Sequence, residues 1–306
     1  MYNKTMYDII VIGGGPAGLT AALYGLRAGK KVLVLESKAI GGQIINAPKI
    51  ENYPGVPNIS GRELISNLKT QVEQLGGEIR FEQATKIAVE GAEKTVETDE
   101  ASYTANALII ATGAENRKLG LSREQELIGR GISYCATCDG NFYRGKDVAV
   151  IGGGNTALED AVYLSALANK VYLVHRRDQF RGDAANIAKV KACDNIELVL
   201  KANATEILGD QKVESLVVKF DDGNEQTLPV DGIFLAIGHE PTGATFSEVA
   251  DVDEKGYIKT EDGVHTSCSG IYVAGDARAK DLKQLTTAVS DGSTAATVAV
   301  KEMEEK

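Results

Sequence analysis

The 306-residue chain carries 43 acidic against 33 basic residues, a formal net charge of −10, with 43% hydrophobic residues, four cysteines and no tryptophan. That balance disfavours nucleic-acid partners, and no apolar run approaches the ~18 residues a membrane helix needs. Four cysteines are too few for a secreted disulfide scaffold, so a reducing, cytoplasmic setting and about two domains are expected.

From the start, MYNKTMYDII runs straight into strand-like sequence, so no leader peptide is expected. DIIVI (8–12) reads as a buried strand, GGGPAG (13–18) as a turn, LTAALYGLRAG (19–29) as a helix and KVLVLE (31–36) as a second strand. Gly13, Gly15 and Gly18, with Pro16 and Ala17 between them, fit the GxGxxG loop. Its first glycine permits the tight turn, its second lets backbone approach a pyrophosphate, and its third lets helix and strand pack closely. Glu36, closing the second strand, suits a ribose whose 2′-hydroxyl is free. A stretch of short β-like runs then ends in LIIATGA (108–114), which contains Thr112 and Gly113.

The order recurs in DVAVI (147–151), GGGNTA (152–157), LEDAVYLSALAN (158–169) and KVYLVH (170–175). Gly152, Gly154 and Ala157 take the glycine positions, with Asn155 and Thr156 beside them, and the first glycine stands equally far from the strand end in both copies (13 to 36, 152 to 175). Another β-rich stretch ends in IFLAIGH (233–239), much as LIIATGA ends the first. The fold class read from this is α/β: two Rossmann-like, three-layer nucleotide-binding domains with antiparallel β-meander insertions. Where the first copy has an acid, the second has His175, Arg176, Arg177 and, four residues on, Arg181. Guanidinium forks suit a 2′-phosphate, which points to NADPH, although such a run is elsewhere often a solvated loop. Near the end, GIYVAGDA (270–277) reads as a strand running into Gly275 and Asp276, the latter equally readable as a turn cap, before a helix over 284–304.

CATC (135–138) lies just before the second nucleotide unit. Zinc would need two further ligands at suitable spacing and none is present, so no metal is expected; a buried inert thiol pair is the other bland reading. A redox pair is favoured, because CxxC spacing lets the two sulfurs bond across a short loop. Cys193 and Cys268 read as packing residues. NADPH gives up a hydride while a disulfide accepts two electrons, so a flavin should mediate, which makes the first nucleotide FAD. Asp139 is placed for proton exchange, or else for a helix N-cap.

Together GGGPAG, GGQ (41–43), ENYPG (51–55), ATGA, CATCDG, GGGNTALE, HRRDQFR, AIGH and AGDA resemble, across essentially the whole chain, the low-molecular-weight thioredoxin reductases. The resemblance implies an FAD domain from residues 1–117 and 246–306, with an NADPH domain at 118–245 carrying the CxxC. It also implies two hinges, a swivel between two orientations, a homodimer, and thioredoxin as the disulfide substrate. Cys138 would be the flavin-side sulfur, Cys135 its partner and Asp139 the acid. Gly42, Gln43, Asn52, Gly275, Asp276 and Gln284 match flavin-contacting positions. Lys283 and Leu285 stand where the family has arginine and alanine, and Thr242 departs at the hinge. A ferredoxin-driven relative, a peroxiredoxin-serving reductase and a redox-inert nucleotide sensor are the rival readings. The intact GGGNTA and HRRDQFR speak against the first.

Overall fold

The computed structural model describes residues 5–47 and 49–305; the first four residues, on which the leader argument rests, lie outside them. The chain forms two compact units, Met1–Glu115 with Glu240–Lys306, and Asn116–His239.

In the first unit β1 (Thr5–Ile12), α1 (Pro16–Arg27), β2 (Val32–Leu35), α2 (Gly61–Gln74), β3 (Glu78–Arg80), β4 (Ala84–Glu90), β5 (Glu93–Thr98) and β6 (Ser102–Ile110) follow one another. The linker strand β7 (Ala114–Asn116) leads into the second unit. There β8 (Ile132–Ser133), α3 (Ala136–Asp139), β9 (Asp147–Gly152), α4 (Asn155–Ser165), β10 (Lys170–His175), α5 (Ala184–Lys191) and β11 (Ile196–Leu200) precede β12 (Ala202–Leu208), β13 (Ser215–Phe220), β14 (Glu225–Pro229) and β15 (Gly232–Ala236). The return strand β16 (His239–Pro241) pairs with β7, and the chain closes with β17 (Ile271–Val273) and α6 (Leu285–Glu304).

β3, β2, β1 and β6 lie side by side and parallel. β6 is long enough to serve two neighbours on its other edge. Its first half pairs antiparallel with β5, and its last three residues pair parallel with β17. The two ends of the chain therefore build one sheet. Side chains alternate across it: Ile9, Val11, Val32 and Val34 meet α1 and α6, while Ile10, Ile12, Leu33 and Leu35 meet the β4–β5 meander. Each such fully buried side chain contributes about 1.5–3 kcal/mol. α1 begins at Pro16, whose missing N–H costs nothing in the first turn, and Gly29 follows it in the left-handed region (φ +75°). Small residues let α1 and α6 approach: a Cβ on Gly292 would fall 2.1 Å from the Ala17 carbonyl oxygen.

The second unit repeats the plan with an all-parallel sheet, β11-β10-β9-β15-β8. Here the meander β12-β13-β14 is a separate antiparallel sheet, covering the face formed by Ala149, Ile151, Tyr172 and Val174. Val148 and Val150 face α4 through Ala157, Leu158, Ala161 and Leu164. This is the mixed α/β fold with antiparallel inserts that the sequence periodicities imply.

The crossings at 115/116 and 239/240 precede the cuts at 117/118 and 245/246 drawn from sequence. Thr242 accounts for the larger offset, since its hydroxyl reaches the carbonyl oxygens of Gly113 (2.9 Å) and Thr112 (3.1 Å), binding it to the ATGA loop of the first unit.

Candidate functional site

The first glycine loop is fixed by backbone crowding at two of its three glycines. A Cβ on Gly13 (φ +109°) would lie 2.4 Å from the Ala111 carbonyl oxygen, and one on Gly18 would lie 1.8 Å from that of Gly13. Gly15 is different: the nearest atom to an added Cβ is the Gly41 oxygen at 4.0 Å. No protein atom demands a glycine there, which is the property of a cradle meant for something else. Glu36 braces the loop, accepting the Gly14 N–H at 2.8 Å with one oxygen and the Lys38 N–H at 2.8 Å with the other. Gly42, also left-handed (φ +60°), faces Gly15 across the cradle, its own added Cβ coming no nearer than 3.7 Å to the Gly15 Cα, and the exposed Gln43 follows.

At the C-terminal ends of β6 and β17 two enclosed oxygens lack a hydrogen bond, Thr112 Oγ1 and Asp276 Oδ1. Lys280 Nζ stands 3.1 Å from the latter as an ion pair, at an angle that makes no hydrogen bond. Asp276 lies inside a short 3₁₀ turn rather than capping one. Gly113 (φ +68°) has nothing within 4 Å of an added Cβ. Gln284 is the N-cap residue of α6, its N–H donating to Thr287 Oγ1 and its side-chain oxygen accepting from Asn52 Nδ2 at 3.2 Å. Leu285 opens the helix, and the ammonium of Lys283 sits over the Tyr257 ring, where burial lowers its pKa to about 8. Open glycine backbone and enclosed oxygens that lack a hydrogen bond fit a dinucleotide with a polar ring system.

Sequence reasoning missed the support beneath this crevice. Asp291 is buried in α6 and accepts from Arg278 Nε (2.9 Å), Arg278 Nη2 (3.0 Å), Lys280 Nζ (2.9 Å) and the Gly275 N–H (3.1 Å). Burial alone would raise its pKa; the two cations bring it below the usual carboxylate range. The adjoining Asp291-Gly292 pair in an otherwise Ala/Thr-rich helix was the only available signal.

The second loop repeats the pattern. A Cβ on Gly152 would meet the Ala236 carbonyl oxygen at 2.4 Å, whereas Gly154 has nothing within 4 Å. Ala157 is buried beneath the loop and Thr156 is exposed. The Asn155 side chain is held by Asp183, accepting its N–H at 2.7 Å and donating to its carboxylate at 2.9 Å. His175 does not present charge outward. Its ring is buried, stacks on Phe180 and lies where a Gly153 side chain would go, 2.1 Å from the added Cβ. Burial first, then the neighbouring arginines, lowers its pKa, while the Gln179 carbonyl acts the other way. Arg176, Arg177 and Arg181 are exposed, and among the described residues their guanidinium groups make no hydrogen bond or ion pair.

Cys135 and Cys138 are joined as a disulfide at the start of α3, both partly buried. The Cys138 N–H points at Cys135 Sγ (3.2 Å). Asp139, the last residue of α3, accepts from Ser133 Oγ at 2.6 Å with Oδ2, and its Oδ1 is enclosed with no partner. Burial raises its pKa, the Ser133 bond partly opposing it. Asp139 also precedes a 3₁₀ turn but makes no capping bond. Cys193 and Cys268 stay free, and among the described residues no cluster could hold a metal ion.

A disulfide next in sequence to a carboxyl whose pKa burial raises, on a chain with two glycine-loop nucleotide folds, defines a nucleotide-linked disulfide oxidoreductase. The pattern of the family described as pyridine nucleotide-disulphide oxidoreductase matches residues 7–292. A thioredoxin reductase of Listeria innocua is 42% identical over 306 residues, covering 99% of this chain and 96% of the relative. One from Bacillus subtilis is 41% identical, covering 97% and 94%. The crystal structure of thioredoxin reductase from Streptococcus pyogenes superposes with a TM-score of 0.94 at 40% identity, covering 99% of this chain and 100% of that one. The chain belongs to the pyridine nucleotide-disulphide oxidoreductases, among the low-molecular-weight thioredoxin reductases.

Proposed function

We propose that this enzyme passes electrons from NADPH through FAD to the Cys135–Cys138 disulfide and from there to the disulfide of thioredoxin, working as a cytoplasmic homodimer. The observation that carries the reading is a disulfide beside a half-buried acid, in the unit where β10, the strand after the glycine-loop helix, runs out into three exposed arginines whose guanidinium groups make no hydrogen bond or ion pair among the described residues. FAD would be held by Gly15, Glu36, Gly42, Gln43, Asn52, Thr112, Asp276 and Gln284, with NADPH at Gly154 and the arginines. The flavin supplies the conversion between hydride and dithiol chemistry.

The chain's own residues do the rest. Arg176, Arg177 and Arg181 select a 2′-phosphate by charge and planar donor geometry. Glu36 repels such a phosphate at the first loop and accepts ribose hydroxyls. Asp139 holds the proton that one cysteine sulfur takes up when the disulfide opens, and Cys138 is the sulfur on the flavin side. Cys138→Ser should keep bound flavin and its bleaching by NADPH while abolishing thioredoxin reduction. Undiminished thioredoxin reduction in that variant would overturn the relay.

A further inference from the structure

The geometry points to Ser133 as a positioning residue that fixes which oxygen of Asp139 carries the transferable proton. The inference rests on the reading of Asp139 as the acid. Ser133 is 5% exposed, sits at the end of β8, and its one hydroxyl proton goes to Asp139 Oδ2 at 2.6 Å. Its oxygen accepts the Cys135 N–H at 3.0 Å, so one side chain touches both the first cysteine and the acid. The alternative acceptor, the Cys135 carbonyl at 3.4 Å, is farther and uncharged.

With Oδ2 taken up as an acceptor, the acid proton must ride on Oδ1, the enclosed oxygen with no partner. An enclosed oxygen without a donor is a poor place for negative charge, so Asp139 keeps its proton while the disulfide is closed. Reduction changes that. Two electrons, delivered from the reduced nicotinamide under the proposed function, break the S–S bond, and the proton that leaves the nicotinamide with them is released to solvent; the Oδ1 proton passes to one sulfur, giving a thiol, and the second sulfur remains a thiolate. Asp139 is left as a carboxylate, which the Ser133 hydroxyl stabilises through Oδ2. Ser133 thus holds the rotamer and sets the ease of release.

Other titratable groups stand on the elements packed around Asp139. Tyr143, from the following turn, is pushed to about 12 by burial, then by Asp139 and Asp231. On α4 are Glu159, Tyr163 and Asp160, the last pushed to about 7 by burial and Glu159. Among the described residues none of these hydrogen-bonds Asp139.

A local turn that merely satisfies the Cys135 N–H would need the hydroxyl only as an acceptor, and the pH profile separates the two roles. The test compares thioredoxin reduction against pH in the flavin-loaded wild type and in Ser133→Ala, Ser133→Thr, Asp139→Asn and Asp160→Asn. Loss of the bond to the carboxylate should move the alkaline limb of Ser133→Ala upward by about 0.5–1 pH unit and lower the optimum about tenfold. Ser133→Thr, retaining the hydroxyl, should restore the wild-type limb, and Asp160→Asn should leave it in place. An unshifted limb in Ser133→Ala, beside a crippled Asp139→Asn, would overturn the role of Ser133 alone. Full activity with the limb retained in Asp139→Asn would overturn the acid reading and this inference with it. Movement of the limb in Asp160→Asn would assign it to that residue and likewise overturn the inference. Should Ser133→Ala not fold, infrared difference spectra of the wild type decide. Reduction should abolish the band of a protonated aspartate whose C=O accepts one hydrogen bond; the frequency of an unbonded C=O would contradict the proposal.

Discussion

The two glycine loops share a backbone and differ in what closes the second strand. At β2 the carboxylate of Glu36 accepts from the loop itself, one oxygen from the Gly14 N–H and the other from the Lys38 N–H, and each oxygen keeps a lone pair for a further donor. At β10 the equivalent His175 is a buried packing piece against Gly153 and Phe180, and the positive charge stands on the three arginines beyond it. Under the proposed function the same geometry serves two nucleotides, with discrimination residing in the few side chains past the strand end rather than in the cradle.

The sharpest break in this comparison is between glycines of one loop. Gly18→Ala places a Cβ 1.8 Å from the Gly13 oxygen and should cost at least about 3 kcal/mol in thermal or denaturant unfolding. Gly15→Ala meets nothing nearer than 4.0 Å and should stay folded while losing flavin, read from its absorbance. Equal destabilisation by both would mean the cradle is packing alone. Next in size, Arg176→Ala or Arg177→Ala should raise the KM for NADPH about 10- to 100-fold, the worth of one charged hydrogen bond, and leave that for NADH nearly unchanged. Flavin content should not move.

Much of this was legible because strand, glycine turn, helix and strand have local signatures, and the duplicated spacing made each copy evidence for the other. His175 was not legible in the same way. Its place beside two arginines reads as part of a cationic patch, and only the three-dimensional neighbour Gly153 reveals a buried ring. Ser133 and Asp291 were missed for a similar reason: each acts through partners that no periodicity announces. The meanders were foreseen as short β-runs, but joining one to its sheet through β5 and separating the other depends on the length of β6 and the late arrival of β17.

A smaller effect lies away from both loops. His265 bridges Asp262, in its own loop, and Glu302, on α6, at 2.6 Å from the latter, with Tyr272 donating to the same Glu302 carboxylate. Its bond to Asp262, then that to Glu302, raises its pKa. With a free value near 6.5, the contribution to stability is complete below about pH 6.5 and is lost as pH rises through the higher folded value. His265→Gln should lower the Tm by a few degrees at pH 6 and by less at pH 9. A Tm difference that grows with pH would contradict the clamp.

The route of the electrons is tested most directly by anaerobic stopped-flow absorbance of the flavin-loaded enzyme mixed with NADPH, NADH or reduced ferredoxin, followed by oxidised thioredoxin. Fast bleaching by NADPH, slow bleaching by the other two, and recovery of colour when thioredoxin is added are the predicted results. Bleaching by NADH as fast as by NADPH, or no recovery with thioredoxin, would contradict the account.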